Sequence, residues 1–203
     1  MKRPIFYLAT ALLSMAFSTV HATDVDTLMS GCNGCHGEGG VSQSSDVPTI
    51  AGLAEFVHAD ALYLYLDDER PCAESKYRHG DTSRPATTMC AIAAELSEDD
   101  IDAIAAAYAE LSYVKATQDF DAALAAAGEG LHKEHCDKCH SDAGTNAEDE
   151  AGMLGGQQMD YLRNSFKDFA AGTRGQPKKM KEKMDALSAE DAEALVHYYG
   201  SVQ

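Results

Sequence analysis

Two copies of the motif Cys-x-x-Cys-His constrain this chain of 203 residues more than any other feature. Two thiols about one helical turn apart, followed directly by an imidazole, are the attachment signature of c-type haem. The thiols add to the two vinyl groups of one porphyrin, and the histidine becomes the proximal ligand of its iron. The motifs therefore predict two covalently attached haem c groups, one held by Cys32, Cys35 and His36 and one by Cys136, Cys139 and His140.

A zinc site, a thioredoxin-like redox pair and structural disulfides are the competing interpretations of these cysteines. A redox pair does not need the following histidine, and it opens a helix after a strand in a βαβ unit. No strand-rich pattern occurs in this sequence. The duplication of the whole motif therefore favours haem.

The first 22 residues have the features of a secretory signal peptide. Lys2 and Arg3 precede an apolar run over residues 5–20, and small side chains stand before the expected cleavage after Ala22. A retained single-span anchor is the alternative, but the run is short for a bilayer. We expect a mature protein exported to the periplasm, without stable membrane insertion after signal cleavage.

The surroundings of the two motifs repeat as well. Pro48 follows His36 by 12 residues, and Gly152 follows His140 by 12 residues. Either position has a main-chain carbonyl that could orient the imidazole, although an ordinary turn residue explains it equally well. The repeat predicts an all-α fold in which two small modules, residues 23–115 and 116–203, each wrap one haem.

Each module ends in a pattern typical of an amphipathic helix. Ser97 and Ser188 are predicted helix caps, each followed by an acidic first turn. The predicted apolar stripes are Ile101, Ile104, Ala105 and Tyr108 in the first module and Ala192, Leu195, Val196 and Tyr199 in the second. The helix that leads into the second motif is predicted to bury Phe120, Leu124, Ala127 and Leu131.

The repeat also nominates a sixth iron ligand. Met89 and Met180 each lie seven residues before a Leu-Ser pair, so they share one register. A thioether favours ferrous iron and raises the reduction potential. Met184 is the rival in the second module, and His79 is the rival in the first, where it would give a bis-histidine haem.

The remaining cysteines, Cys72 and Cys90, lie in the first module only. Cys72 belongs to a surplus segment between Gly52 and Tyr77, and Cys90 adjoins Met89. In an oxidising compartment we expect them to form a disulfide that fixes the segment carrying Met89. Two free thiols are the alternative.

The chain carries 33 acidic and 16 basic side chains, a net charge of −17, which disfavours binding to nucleic acid or to an anionic membrane. The exception is a basic cluster around Met180. It is either a docking surface for an acidic partner or a solvated helix face. His132 and His135 are expected at the surface of the helix before the second motif. The basic cluster consists of Arg174, Lys178, Lys179, Lys181 and Lys183.

With its two motifs and shared methionine register, the whole mature chain resembles the dihaem class I c-type cytochromes of the cytochrome c4 type. The resemblance implies two monohaem domains with facing propionate edges, and axial pairs His36/Met89 and His140/Met180. The second half also resembles the cytochrome subunit of flavocytochrome c sulfide dehydrogenase. The segments that carry this second resemblance are residues 120–124, 131–140 and 178–184. The insertion around Cys72 departs from that subunit.

The leading functional hypothesis is a freely diffusing electron carrier between a donor and a terminal acceptor such as an oxidase. The alternative is the electron-accepting subunit of a sulfide-oxidising flavocytochrome c or a related sulfur-oxidising enzyme. A dihaem peroxidase is a third class, but it needs an open ligand position. Methionine at both sixth positions would leave none, so we expect no catalytic residues.

Overall fold

The computed structural model describes residues 24–203, and the regular secondary structure in this range is helical. The predicted signal peptide, residues 1–22, lies outside it. No strand occurs among residues 24–203, where Ser75 and Thr87 form an isolated bridge. The first module contains α1 (Val25–His36), α2 (Glu55–Leu66), α3 (Met89–Ala93) and α4 (Glu98–Ala109). The second contains α5 (Ala122–His135), α6 (Ser141–Gly144), α7 (Met159–Ala171), α8 (Lys178–Met184) and α9 (Ala189–Ser201).

Both C-terminal helices begin with a complete capping box. The Ser97 hydroxyl accepts from the Asp100 backbone N–H and the Asp100 carboxylate accepts from Ser97, and Ser188 and Asp191 repeat this arrangement. These bonds satisfy backbone donors that a helix start otherwise leaves unpaired. The two predicted caps are confirmed. In each module the C-terminal helix packs on the N-terminal helix: α4 packs on α1, which contains the first motif, and α9 packs on α5, which leads into the second.

The same backbone hydrogen bonds occur in both modules. The amides of Ile50 and Leu154 donate to the carbonyls of Gly40 and Gly144, each at 2.8 Å. Gly40 has φ 76°, and a Cβ there would lie 2.7 Å from the Tyr108 ring, so this turn requires glycine. The repeat inferred from motif spacing is therefore also a repeat of backbone structure.

The expected buried face of α5 is only partly right, because Leu124 and Leu131 are half-buried and Leu131 packs against the core, whereas Ala127 is exposed. Its buried residues are Ala125, Gly128 and His132, whereas Phe120 precedes the helix and is exposed. The reason is close packing: a Cβ at Gly128 would lie 2.2 Å from the Ala194 carbonyl oxygen. Small residues let two helices approach each other, so Ala125 and Gly128 are more deeply buried on this face than the larger Leu124 and Leu131.

The expectation of a surface position for His132 was also wrong. This side chain is 1% exposed, and its Nδ1 lies 3.0 Å from the Tyr199 hydroxyl. The hydrogen bond joins α5 to α9 and satisfies one nitrogen of the buried ring.

The two modules meet along residues 42–49 of the first and the start of α7 in the second. Gln157 donates to the Thr49 carbonyl at 2.9 Å and accepts from the Thr49 amide at 2.8 Å. Gln158 donates to the Ser42 carbonyl, and the Tyr161 amide donates to the Ser45 carbonyl. These bonds hold the modules together through backbone groups.

The surplus segment of the first module also reaches the second. The structure joins Cys72 to Cys90, with Cα atoms 5.7 Å apart. Just before this link, the Glu69 carbonyl accepts from the Gly175 amide at 2.8 Å. The segment therefore connects the start of α3 with the loop before α8. Among residues 24–203 there is no helix long and apolar enough to cross a membrane.

Candidate haem sites

The first candidate site is built on the C-terminal end of α1. His36 is buried, and its Nδ1 lies 2.9 Å from the Pro48 carbonyl oxygen. A carbonyl accepts from Nδ1–H, so the other ring nitrogen, Nε2, carries the lone pair available to a metal. Burial lowers the pKa of His36; the Pro48 hydrogen bond opposes this, and the charges of Arg78 and Arg70 add to it. The imidazole is held neutral, as a metal ligand must be.

The second site repeats this geometry. The Nδ1 atom of His140 lies 3.1 Å from the Gly152 carbonyl oxygen. Burial again lowers the pKa of the histidine, and the hydrogen bond to Gly152 opposes it. The predicted orienting role of the residue twelve positions after each histidine is confirmed, and proline at that position is not required because the acceptor is a backbone atom.

A tyrosine from the C-terminal helix reaches each motif. The Tyr108 hydroxyl donates to the Asn33 side chain at 2.8 Å, and the Tyr199 hydroxyl pairs with His132. Burial raises the pKa of the Cys32 thiol, and the Tyr108 hydroxyl partly opposes the rise. Tyr199 acts in the same way on Cys136. Both tyrosines were predicted as core residues, but their contacts with Cys32 and Cys136 were not predicted. Only the shared position of the two tyrosines in the repeat could have indicated these contacts.

The residues of each site fit a covalent haem. Two thiols within one turn and an imidazole fixed through Nδ1 are the donor set that this group requires. All four motif cysteines are free of disulfides. A haem bound there supplies one-electron chemistry at iron. The protein fixes the plane of the imidazole through the Pro48 and Gly152 carbonyls.

Comparisons with known proteins agree with this site. Residues 123–198 match the sequence family described as cytochrome C oxidase, cbb3-type, subunit III. The structure of reduced recombinant cytochrome c4 from Pseudomonas stutzeri is 25% identical, with a TM-score of 0.69 over 90% of this chain and 100% of that one.

The chain is a c-type cytochrome with two haem domains, and it is similar in sequence and fold to cytochrome c4.

Its fold is accordingly a tandem pair of class I cytochrome c domains, its cofactors are two covalently bound haem c groups, and its function is electron transfer. Cytochrome c4 of Acidithiobacillus ferrooxidans has the same fold, with a TM-score of 0.66, 22% identity and coverage of 85% of this chain and 99% of that one.

Two further relatives have names that refer to thiosulfate dehydrogenase. A Stutzerimonas stutzeri protein named thiosulfate dehydrogenase electron acceptor is 27% identical over 98% of this chain and 94% of its own length. The thiosulfate dehydrogenase of Marichromatium purpuratum is 26% identical, with a TM-score of 0.65 over 84% of this chain. The cytochrome spans 36% of that longer chain.

The candidate sixth ligands lie on two short helices. Met89 is the first residue of α3, where the Thr88 hydroxyl accepts from the Ala91 amide. Met180 is half-buried in the middle of α8. Its rival Met184 lines a cleft of about 190 Å³ between α7, α8 and α9, together with Phe166 and Val196. Met180 does not line this cleft.

The two motifs of the cytochrome differ in what covers them. A Cβ on Gly34 would lie 2.7 Å from the Tyr77 ring, and the Cys35 thiol lies 3.7 Å from the Lys76 carbonyl oxygen. In the second motif the equivalent residue is Lys138, which is exposed together with Cys139. The 75–79 segment therefore covers the first motif, and the second is open to solvent.

His79 belongs to this covering segment. Its backbone amide donates to the Gly34 carbonyl at 3.0 Å, and its Nε2 is buried without a hydrogen-bond partner. The structure thus associates His79 with the middle of the first motif, whereas Met89 lies on a separate helix.

Proposed function

We propose that this cytochrome is a periplasmic electron carrier, and not an enzyme, that passes single electrons between protein partners. The duplicated site supports the proposal: both imidazoles are fixed through Nδ1, and a methionine stands at the same register in each module. When protein atoms fill both axial positions of the iron, no position remains for a substrate. Such a centre is suited to electron transfer rather than to catalysis.

For the first haem we propose attachment to Cys32 and Cys35 and ligation by His36 and Met89. For the second we propose attachment to Cys136 and Cys139 and ligation by His140 and Met180. The position of Met184 in the cleft between α7, α8 and α9 favours a packing role for that residue.

An anaerobic redox titration with optical spectra tests these ligands. The wild-type protein should show two high-potential transitions and a weak ferric charge-transfer band at the red end of the spectrum. Met89→Ala and Met180→Ala should each remove about half of that band and lower one transition, because the thioether stabilises ferrous iron. Met184→Ala is the matched control and should keep both transitions. Loss of the band in Met184→Ala, or of a bis-histidine spectrum in His79→Ala, would contradict the assignment.

We also propose that residues 1–22 are removed on export and that the domains comprise residues 23–115 and 116–203. The mass of the secreted protein tests the first statement and the cofactor content together. It should equal that of a chain beginning at Thr23, plus two haem groups. A measured mass that includes residues 1–22 would instead indicate that the segment is retained as a membrane anchor.

A sulfur-oxidising enzyme is the second candidate for the donor. The support is the relative named thiosulfate dehydrogenase electron acceptor, which matches nearly the whole chain. The exposed lysines of α8 offer a contact surface in an otherwise acidic protein. Lys183 lies close enough to Cys136 for its charge to oppose the burial-driven rise in the pKa of that thiol. An acidic donor surface that docks on α8 would therefore lie near the second haem.

Stopped-flow reduction of the oxidised cytochrome by a thiosulfate dehydrogenase and thiosulfate tests this donor. The rate should fall with ionic strength, because screening weakens attraction between opposite charges. A Lys178→Glu, Lys179→Glu, Lys183→Glu variant should react at least tenfold more slowly, and Lys115→Glu serves as the control. Equal rates in both variants would exclude α8 as the contact. Reduction by a sulfide-oxidising flavoprotein, but not by the thiosulfate enzyme, would favour the flavocytochrome alternative.

A further inference from the structure

A buried histidine lies against the start of the second haem motif. His132 belongs to α5 and is 1% exposed. Its backbone carbonyl accepts from the amides of Cys136 at 2.8 Å and Asp137 at 2.9 Å, which fixes the residue to the motif. Asp137 stands between Cys136 and Cys139, the two attachment points. A titratable group therefore lies in the core next to the porphyrin that these cysteines hold.

Each ring nitrogen of His132 faces an oxygen that can accept a hydrogen bond. Nδ1 lies 3.0 Å from the Tyr199 hydroxyl, and Nε2 lies 3.3 Å from a carboxylate oxygen of Asp137. No atom of residues 24–203 forms a hydrogen bond with Nε2. A protonated imidazole has an N–H at both nitrogens and can donate to both oxygens, one of which is charged. The contacts therefore favour the protonated ring, whereas burial opposes it.

Asp137 connects this buried ring with water. Its side chain is 55% exposed. A proton can therefore reach the ring by way of the carboxylate while α5 and α9 stay packed. The other titratable and charged groups around the ring are Lys133 on α5, which is paired with Glu129, the phenols of Tyr198 and Tyr199 on α9 and, at longer range, His140.

The first module has no equivalent of this arrangement. Leu28 stands four residues before its first motif cysteine, where His132 stands in the second module, and Asn33 stands at the position of Asp137. The Tyr108 hydroxyl donates to the Asn33 side chain at 2.8 Å. Neither leucine nor asparagine takes up a proton. The first haem therefore serves as an internal reference for the second.

A different histidine contacts the tyrosine of the first module. His58 on α2 stacks on Tyr108, with ring centroids 5.6 Å apart. Burial lowers the pKa of His58 to about 4, against the effect of a hydrogen bond to the Ile50 backbone. This ring therefore stays neutral at pH 5 and above, and the reference is unaffected.

We infer that Tyr199, His132 and Asp137 form a proton-binding site that couples reduction of the second haem to the uptake of a proton. When this haem accepts one electron from a donor, the His132 ring takes up one proton from water, so the net charge of the centre stays the same. The loss of one positive charge at the iron weakens its repulsion of the protonated ring. The inference rests on the proposed attachment of the second haem to Cys136 and Cys139.

A redox titration of the purified dihaem protein at pH 5, 6, 7 and 8 tests the inference. One transition should move to higher potential as the pH falls, because proton uptake favours the ferrous form. Its ferric-to-ferrous ratio at fixed solution potential should change by about threefold to tenfold per pH unit in the steepest interval, where tenfold equals about 59 mV. The other transition should change by less than about twofold per pH unit. Met180→Ala should lower the pH-dependent transition, and Met89→Ala should lower the other one.

Two variants act on different parts of the site. His132→Gln should remove the pH dependence, because glutamine forms hydrogen bonds but does not titrate. Asp137→Asn removes the exposed carboxylate that favours the protonated ring, so it should move the pH dependence to lower pH. His135→Gln is the matched control, because this histidine of the same helix faces Glu134 at 3.7 Å, and the pH dependence should stay as in the wild type. If His132→Gln does not bind two haems, the Asp137 variant still tests the site.

Proton NMR gives a readout that does not depend on potentials. The imidazole C–H signals of His132 are assigned by their loss in His132→Gln. Their titration midpoint should lie at higher pH in the fully reduced protein than in the fully oxidised protein, because binding of an electron and of a proton favour each other reciprocally.

Three results would overturn the inference. They are two pH-independent transitions in the wild type, a pH dependence that persists in His132→Gln, and a His132 midpoint that is equal in both redox states. Persistence in His132→Gln would assign the proton to another group, such as a haem propionate. Failure of the proposed iron ligands gives a different result: Met180→Ala would leave both transitions in place, while His132→Gln would still remove the pH dependence of one.

Discussion

Gln157 of the second module forms two hydrogen bonds with the backbone of Thr49 in the first, at 2.8 and 2.9 Å. Both residues are 1% exposed or less. The Gln157 side chain therefore pairs with the Thr49 backbone as the backbone of a neighbouring β-strand would. It joins the second module to the first at the residue that follows Pro48. Because Thr49 follows Pro48, this contact between the modules lies next to the Pro48 carbonyl that orients His36.

Gln157→Ala should destabilise the protein by about 1–3 kcal/mol, because it leaves the buried N–H and C=O of Thr49 unpaired. Chemical denaturation followed by circular dichroism measures the loss. Gln43→Ala is the control, since Gln43 is exposed in the same loop region. Equal stability of the two variants would show that water or a local shift replaces the lost bonds.

Gly128→Ala should destabilise the second module, whereas Gly130→Ala on the same helix should not. A Cβ at Gly128 would lie 2.2 Å from the Ala194 carbonyl oxygen, and a Cβ at Gly130 has no atom within 4 Å. Overpacking costs about 1–3 kcal/mol, while alanine in an open helical position gains up to about 1 kcal/mol over glycine. The two unfolding midpoints should therefore move in opposite directions, and parallel shifts would contradict the close helix contact.

Joint replacement of Cys72 and Cys90 by serine should lower stability by about 3 kcal/mol in the chain-entropy estimate for a loop of this length. The residues are 18 positions apart in sequence. Thiol alkylation with and without reductant, read by mass spectrometry, should label these two cysteines only after reduction. Labelling without reductant would establish the alternative of free thiols.

Acidification should destabilise the protein through His132. Burial lowers the pKa of this imidazole, against the opposing effect of Asp137. As the pH falls below about 6.5, the unfolded chain takes up a proton that the folded protein does not, so stability falls with pH. The slope is at most about 1.4 kcal/mol per pH unit.

Denaturation midpoints at pH 7, 6 and 5 measure this slope. His132→Gln should reduce it, because glutamine keeps a hydrogen-bonding group for Tyr199 but does not titrate. An unchanged slope in the variant would assign the acid sensitivity to other groups.

The sequence was sufficient for the parts of this protein that depend on regular spacing. The motifs, the twelve-residue interval to each carbonyl and the serine caps are local patterns, and the structure shows the predicted hydrogen bonds at Pro48, Gly152, Ser97 and Ser188. Local bonds are determined by nearby residues, so spacing alone predicts them.

What the sequence did not predict depends on contacts between distant residues. The buried face of α5 follows the approach of Ala194 to Gly128, and a pattern of large apolar residues cannot reveal that approach. Arg70 lies in the surplus segment of the first module, and its contact with Tyr161 spans 91 positions. Its burial follows from the junction of two modules, which no local pattern describes.

The unequal covering of the two motifs affects how closely a redox partner can approach each of them. Tyr77 and its neighbours lie over the first motif, whereas Lys138 and Cys139 face water. An approaching protein can touch the second motif directly at Lys138 and Cys139, whereas Tyr77 and Lys76 would lie between it and a haem held by the first motif. The two modules therefore share a fold but present unlike surfaces to a docking protein, one shielded by Tyr77 and one exposed at Lys138.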